Sequence, residues 1–157
     1  MYSFERTEDV DLIRYVIAHP KVYGRASDDF APPREQYQPN MDPRIWYVLA
    51  KLDGLVLGLW GLFPHSDILW EVHTCLLPHA WGTVGHEASL AFLEWLWKHS
   101  PCRRLITSVP EFNRVAKRFA ERAGMVEYGV NPLAYQKTKV LHNLIMLGCS
   151  RPDSNET

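Results

Sequence analysis

The sequence has few cysteines, and they follow no recognisable pattern. Cys75, Cys102 and Cys149 are the three cysteines among the 157 residues, and they lie far apart along the chain. An odd number with no CxxC or Cys/His pairing argues against both a disulfide framework and a zinc finger. A reducing compartment fits best, so the expected location is the cytoplasm.

Excess charge of one sign and long apolar runs are lacking as well. The 17 lysines and arginines nearly balance the 18 aspartates and glutamates, for a formal net charge of -1. Such a chain has no long-range attraction to nucleic-acid phosphates, so DNA and RNA are not expected partners. No apolar run reaches the roughly 20 residues that span a bilayer, and the N-terminal MYSFERTEDV lacks the basic-then-apolar profile of a signal peptide. A soluble protein without a membrane partner is the expectation.

Length and patterning indicate one domain. A chain of 157 residues suits a single core that buries about 70% of the surface its unfolded form exposes. We find no internal repeat and no second core in the sequence, so residues 1–150 are predicted to form one α/β domain and the polar residues 151–157 a frayed tail. The six tryptophans are predicted to pack the core rather than to form an aromatic ligand platform.

The N-terminal third predicts a strand, a helix and a long loop. Residues 3–5 read as a short strand, after which Thr7 is placed to cap a helix with acidic residues in its first turn. Pro20 is predicted to stop that helix. Residues 21–43 are rich in proline and are predicted to be turns and loop, either a plain connector or a loop that contacts a substrate or partner.

The middle of the chain predicts a run of strands. Residues 45–52 and 55–63 flank an Asp-Gly turn, which is a strong hairpin signal. Residues 68–77 read as the next strand, with apolar side chains alternating along one face. The opposite face of that strand carries Glu71, His73 and Cys75.

The second half predicts two helices set between strands. The first helix runs from about Gly85 to His99 and is largely buried, a strand covers residues 104–109, and the second helix runs from Asn113 to Ala123. Residues 125–128 and 138–147 are predicted to be the last strands, with a loop at residues 131–137. The side chains of the second helix predicted to face inward are Val115, Ala116, Phe119 and Ala120.

Three segments in this order resemble the GNAT superfamily of acetyl-CoA-dependent N-acetyltransferases: ILWEVHTCLLPHAWGTVG, NRVAKRFAERAGM and KVLHNLIMLG. The resemblance implies an α/β (α+β) fold with a mixed, strongly twisted sheet of six to seven strands and about four helices. In that family the sheet splays open between its fourth and fifth strands, and acetyl-CoA or CoA wedges into the splay.

A narrower likeness lies in HPKVYGRASDDFAP, followed by the EVH of the third strand in the run and the P-x-x-W-G turn. These segments are similar to GNAT-like proteins of tailed bacteriophages, some labelled acetyltransferases and some labelled head assembly proteins. This likeness implies a phage-encoded protein of the host cytoplasm or the virion, with phage structural proteins as partners.

The resemblance assigns cofactor binding to a turn at a helix N-terminus, where consecutive backbone N–H groups grip the pyrophosphate. Two departures from the family pattern weaken this site: Trp81 stands where a basic residue is usual, and Val84 where glycine or alanine is usual. A plain strand-to-helix turn is the alternative. The residues expected to bind the cofactor are Leu76, Leu77, Gly82, Thr83, Val84, Gly85 and Asn113.

For catalysis the resemblance points to Glu71 as the general base, with His73 as the second candidate. Partial burial is expected to raise the pKa of Glu71 towards neutrality. Both residues could instead be structural hydrogen-bonding groups, and no metal site is expected, since adjacent ligands on one strand rarely close a tetrahedron. The family's usual tyrosine acid is replaced by Ala120, which leaves Tyr128 and Tyr135 as the nearest substitutes by sequence.

Three functions follow from these residues. The first is transfer of an acetyl group from acetyl-CoA to a primary amine on a small molecule or protein. The second is a non-catalytic structural or assembly role, and the third is a regulator that binds acetyl-CoA without turnover. The resemblance assigns acceptor choice to the loops at residues 21–43 and 131–137, and it leaves homo-oligomerisation open.

Overall fold

The computed structural model describes residues 1–152, which form one seven-stranded sheet with helices on both faces. The strand order is β1-β2-β3-β4-β5-β7-β6, and every neighbouring pair is antiparallel except β4 and β5. The strands are β1 (Tyr2–Arg6), β2 (Trp46–Leu52), β3 (Leu55–Pro64), β4 (Leu69–Leu76), β5 (Arg104–Pro110), β6 (Val126–Lys137) and β7 (Val140–Ser150). The helices are α1 (Val10–Ile17), α2 (Pro20–Ala26), α3 (Thr83–His99) and α4 (Arg114–Arg122). The predicted fold class, strand number and helix number are confirmed.

The first helix begins later than predicted. Asp9, not Thr7, is the N-cap of α1, and its carboxylate accepts a hydrogen bond from the amide of Leu12 at 3.1 Å. Thr7 supports this cap, since its hydroxyl oxygen accepts from the amide of Asp9 at 3.1 Å. The predicted cap was wrong because a carboxylate with extended backbone angles caps a helix as well as a hydroxyl does.

Pro20 starts a helix rather than opening a loop. It is the first residue of α2, and the ring nitrogen Nδ1 of His19 accepts from the amide of Lys21 at 3.1 Å. Proline is tolerated there because the first amides of a helix have no intrahelical partner. The predicted loop at residues 21–43 therefore contains most of α2 and a short 3-10 turn, Arg34–Gln36.

The two later helices follow the prediction with small shifts. Helix α3 begins at Thr83, two residues earlier than expected, and α4 has Asn113 as its N-cap and Gly124, with φ +95°, just beyond its end. Val115 was predicted to face inward, but it is 79% exposed. Its place in the first turn of α4 sets it off the buried stripe.

The last hairpin is longer than predicted. Strand β6 runs without a break through the loop expected at residues 131–137, although its pairing with β7 shifts between Asn131 and Tyr135. Pro132 lies in this irregular part of β6, and β6 is the edge of the sheet, where a missing backbone N–H costs no ladder bond. The predicted tail lies largely outside the described residues, and Arg151 donates its amide to the carbonyl of Arg103 at 2.8 Å.

Apolar side chains fill both faces of the sheet. On one face, α3 and α4 cover the main core, where the rings of Trp60 and Phe92 stack at 4.4 Å. On the other face, Ile13 and Val16 of α1 pack with Cys75 of β4. The tryptophans lie in or against the main core as predicted, except Trp81, which is 41% exposed. Within residues 1–152, no helix has the length and apolar character needed to cross a membrane.

Strands β4 and β5 separate partway along their length. They pair only at Leu69, Trp70 and Glu71, opposite residues 104–106. Beyond that point β4 stays paired to β3 and β5 to β7, so the two strands diverge while each remains in the sheet. At the vertex, the hydroxyl of Thr107 donates to the carbonyl of Val72 at 3.0 Å. The predicted splay is present, and it creates a gap between the C-terminal ends of β4 and β5.

Candidate active site

Backbone groups of β4 line one wall of this gap. The Val72 carbonyl points towards β5, because it accepts the Thr107 hydroxyl. Backbone direction alternates along a strand, so the N–H and C=O of Thr74 and Leu76 point the same way. Pairing with β5 ends at Glu71, which leaves the Thr74 groups facing the gap without a strand partner. This wall can therefore hydrogen-bond an extended, amide-bearing ligand as a neighbouring strand would.

A turn of unpaired amides lies where β4 leads into α3. A single 3-10 turn, Pro78–Ala80, is followed by Gly82, whose φ of +90° and ψ of -137° make it the N-cap of α3. No side chain caps the helix. In the part of the chain that the structure describes, the amides of residues 83–85 have no hydrogen-bond acceptor. Together with the dipole of a helix of 17 residues, these amides have the geometry that suits an anion.

Both glycines of the turn are required by its geometry. A Cβ on Gly85 would lie 2.6 Å from the carbonyl oxygen of Ala80 and 2.9 Å from Cδ1 of Leu76, so the helix start packs directly on the strand end. Gly82 has open space around it, but its positive φ means that any other residue at this position would strain the backbone. Val84, which could crowd this turn, instead packs partly buried against the main core. These features fit the turn to a pyrophosphate group.

Three other residues predicted to bind the cofactor already use some of their polar groups in hydrogen bonds within the protein. The amide of Leu77 donates to the carbonyl of Leu57 at 2.9 Å, and the carbonyl of Leu76 accepts the indole N–H of Trp81 at 2.9 Å. Asn113 uses its side-chain oxygen to cap α4 by accepting from the amide of Ala116 at 3.1 Å. The contacts of these three residues with a cofactor stay predictions. The backbone of Thr74 is a further candidate for cofactor binding, which the sequence did not indicate.

Glu71 and His73 lie together where the gap begins. The carboxylate oxygen Oε2 of Glu71 is 2.7 Å from Nε2 of His73, and Oε1 is 3.2 Å from Nε2 of His65. Nothing in the sequence links His65 to this pair, because His65 lies in the turn between β3 and β4. The pairing of Pro64 with Trp70 across the β3–β4 hairpin is what brings it alongside. One carboxylate therefore bridges two imidazole rings.

The pKa of Glu71 moves opposite to the expectation. The hydrogen bond with His73 is the main cause that lowers the pKa of this carboxyl, and it outweighs the partial burial, which raises it. The expectation of a pKa near neutrality rested on burial alone and was wrong, because it left out the two histidine partners. Glu71 is thus a carboxylate at neutral pH and an acceptor for both rings.

Cys75 does not join this cluster. Burial raises the pKa of its thiol to about 12, and the side chain packs with α1 and α2. A thiol with that pKa is not a nucleophile at neutral pH. Among the described residues, no set of three or more His, Cys, Asp or Glu side chains is arranged to hold a metal ion.

Comparison with known proteins identifies the family of this chain. The family model described as an acetyltransferase (GNAT) domain matches residues 2–126, which is most of the chain. The protein belongs to the GNAT acetyltransferase family. A comparison with curated proteins finds no match. The narrower likeness to tailed-phage proteins finds no support in these comparisons and stays a prediction.

Solved structures of GNAT proteins share the fold over nearly the whole chain. The ribosomal-protein-S5-alanine acetyltransferase from Vibrio fischeri superposes with a TM-score of 0.75 at 11% identity, covering 98% of this chain and 95% of that one. A GNAT-family acetyltransferase from Streptococcus pneumoniae gives 0.70 at 14% identity, with coverage of 96% and 99%. A spermidine N-acetyltransferase chimera built partly from Vibrio cholerae gives 0.74 at 13% identity, with 99% of each chain covered. Identities this low establish the shared fold alone.

The position that the resemblance assigns to the family's tyrosine acid is held by Ala120. Ala120 is buried in the main core and carries no hydroxyl. Tyr128 lies under the guanidinium of Arg104, at the paired end of β5 and away from the gap. Tyr135 lies in the hairpin beyond the gap, but its hydroxyl donates to the carbonyl of Ser27 at 3.2 Å. Both tyrosines therefore already have contacts within the protein.

A clasp joins the segment after α2 to the turn between β6 and β7. We use this name for the contacts of residues 27–29 with residues 135–139. The carboxylate of Asp29 accepts from the amides of Thr138 and Lys139 at 2.8 and 2.7 Å, and from the side-chain amide of Gln136 at 3.1 Å. These bonds lower the pKa of Asp29, the one with the Lys139 amide most. The clasp therefore holds in place both segments that were predicted to select the acceptor.

The clasp crosses the open end of the gap. Helix α2 packs on β4, whereas the turn belongs to strands beyond β5. Since β7 runs antiparallel to β5, its first residues lie at the same end as Pro110, where the gap is widest. The clasp therefore joins segments from the two sides of the gap.

Two surface cavities lie outside the gap. One, of about 280 Å³, lies between β1, α1 and residues 41–47. The other, of about 240 Å³, is lined by Tyr23, Tyr37 and the segment that begins the clasp. Neither is lined by Glu71 or by the glycine turn.

Proposed function

We propose that this protein is an N-acetyltransferase that moves an acetyl group from acetyl-CoA to a primary amine. The observation that carries the proposal is the continuity between the unpaired Thr74 backbone in the gap and the unpaired amides of residues 83–85. A pyrophosphate on the amides and an amide-bearing arm along β4 would use both sets of groups. When bound, acetyl-CoA supplies the activated thioester.

The turn binds the cofactor mainly through backbone groups. Each hydrogen bond from an N–H to a charged oxygen contributes about 1.5–3 kcal/mol, and the α3 dipole adds to it. Neither contribution depends on side-chain identity. The replacement of the usual basic residue by Trp81 therefore leaves the backbone part of the site intact.

His73 is the better base of the two candidates. Because Glu71 is ionised and accepts only, Nε2 of His73 donates to it and Nδ1 of the neutral ring carries a lone pair. His73 takes the proton that the acceptor's ammonium gives up, while Glu71 orients the ring through its hydrogen bond. A positioned base of this kind contributes about 10²–10⁴ in rate. With Ala120 in place of tyrosine, the departing thiolate takes its proton from water.

Calorimetric titration with acetyl-CoA, followed by a thiol-release assay with primary amines, tests the proposal. Gly82→Ala should abolish binding, because it strains the turn that presents the amides. Gly54→Ala is a matched control, since Gly54 also has a positive φ, +86°, and open space around it but lies in the β2–β3 turn. Absence of binding by the unchanged protein at millimolar cofactor would remove the acetyltransferase function, and binding without thiol release would favour a regulator.

An assembly role is the second candidate, and one observation favours it. The edge strand β6 and the start of β7 expose a row of apolar side chains where no further strand is paired among the described residues. Long apolar edges mark surfaces that pair with other chains. Under this alternative, which includes the tailed-phage head-assembly reading, the protein binds no acetyl-CoA. The exposed residues are Val126, Tyr128, Val130, Leu133, Val140 and Leu141.

A further inference from the structure

The cofactor turn touches α2 through an aromatic ring and a cation. The indole N–H of Trp81 donates to the carbonyl of Leu76 at 2.9 Å, which fixes the ring beside the strand end. The guanidinium carbon of Arg25 lies 4.6 Å from the centroid of that ring. Arg25 belongs to the last turn of α2. A helix from another part of the chain thus brings a permanent positive charge to this turn.

The turn has little positive charge of its own. The segment from His79 to Gly85 contains no lysine or arginine, and Nε2 of His79 is 2.7 Å from the carbonyl oxygen of Val56. Backbone amides carry only partial charges, whereas a diphosphate carries full negative charges. The guanidinium group is the side chain that matches phosphate oxygens with two parallel N–H bonds.

Arg25 is held at the edge of the gap. The carbonyl of Leu76 points into the gap, as that of Val72 does, so the indole bound to it lies at the gap's mouth. The next residue, Gly82, begins the amide-presenting turn. A guanidinium stacked on a ring uses its face for that contact and keeps the N–H groups at its edge available to an anion.

We propose that Arg25 is a cofactor-binding residue that supplies to the diphosphate the positive charge missing from the turn, with Trp81 as the positioning residue that holds it. The inference rests on the proposed function, since it assigns a further residue to the same acetyl-CoA site. It explains how the turn can hold a diphosphate with an indole at the position where a basic side chain is usual.

Titration of CoA into the protein and its variants tests the assignment by affinity alone. Arg25→Ala should raise Kd about tenfold or more, the loss expected for one charged hydrogen bond. The variant's Kd should also depend less steeply on salt concentration than that of the unchanged protein. Arg25→Lys keeps the charge but loses the planar guanidinium group, so its Kd should lie between those of Arg25→Ala and the unchanged protein. Lys21→Ala removes an equal charge from the exposed start of the same helix and should change Kd less than about twofold.

Dephospho-CoA identifies the phosphate involved. If Arg25 binds the diphosphate, Arg25→Ala raises the Kd of dephospho-CoA by the same factor as the Kd of CoA. A loss that disappears with dephospho-CoA assigns the residue to the 3′-phosphate and overturns the proposal. Trp81→Phe keeps a ring under the guanidinium and should retain more affinity than Trp81→Leu. Thermal melting of each variant confirms that it is folded.

Failure of the proposed function and failure of the Arg25 assignment give different results. If the unchanged protein binds no CoA, the proposed function fails and this inference fails with it. If the unchanged protein binds CoA and Arg25→Ala binds it equally well, the inference alone is wrong.

Discussion

Glu71 and its two histidines show how a partner decides the role of a carboxylate. Burial alone predicts a raised pKa, but the contact with His73 lowers it. The position of Glu71 at the splay was predictable from its place on the strand. The predicted direction of its pKa shift was wrong because burial was weighed alone, without the hydrogen bond from His73 on the same strand face.

His73→Gln should reduce kcat by about 10²–10⁴ if the imidazole is the base, with little effect on acetyl-CoA affinity. Glu71→Gln should give a smaller loss, because it weakens the hydrogen bond that orients the ring but leaves the imidazole in place. Rate profiles against pH for the two variants and for His65→Gln check this. Full activity in His73→Gln would rule out the imidazole base.

The lowered pKa of Glu71 also makes stability depend on pH. A carboxyl whose folded pKa lies below its ordinary 4.5 stabilises the fold above that value and loses this contribution as pH falls through the lowered pKa. The melting temperature of the unchanged protein should exceed that of Glu71→Gln at neutral pH, and the difference should vanish in strong acid. A difference that grows on acidification would contradict the assigned direction.

Gly85 tests the close packing of turn and strand. Gly85→Ala places a methyl group 2.6 Å from a backbone oxygen, so we expect a loss of about 1–3 kcal/mol in the free energy of unfolding. Gly24→Ala is the contrasting control, because nothing lies within 4 Å of its Cβ and alanine favours a helix. Denaturant unfolding should show the first variant destabilised and the second unchanged or stabilised. Equal stability of the two would mean that the turn is looser than described.

At the scale of elements, the hairpin of β2 and β3 and the amphipathic helices were predictable, because turn chemistry and periodicity are local signals. Helix α2 and the continuous β6 were not. Proline reads as a break in the first segment, yet Pro20 is the first residue of a helix. The second segment carries no recognisable motif, yet it continues a strand at the sheet edge. Those positions are set by neighbouring elements and leave no local pattern.

The clasp gives a prediction at this scale. Asp29→Ala removes the acceptor of two backbone amides in the β6–β7 turn, so hydrogen exchange at Thr138 and Lys139 should accelerate. Asp28→Ala is a neighbouring control with the same charge change, since Asp28 accepts from the amide of Phe30 in its own loop. If the clasp limits acceptor access, Asp29→Ala should also change KM for amines more than for acetyl-CoA. Unchanged exchange at the turn would mean that Asp29 does not hold it.

At the scale of the whole molecule, one topological feature organises the candidate site. A single parallel pair within an otherwise antiparallel sheet ends early, and the gap that results places β4's backbone, the turn before α3 and the Glu71 cluster side by side. The family resemblance predicted this gap. The contacts around the gap, including those of Trp81 and the clasp, were not predicted because they depend on long-range packing.

The most direct measurement of the central claim is a map of backbone amide shifts in ¹⁵N spectra during titration with acetyl-CoA. We expect the largest changes at residues 82–85 and at Thr74, with little change along β6. Saturation with no change at those amides, or changes confined to the β6 edge, would contradict the account of the gap as a cofactor site.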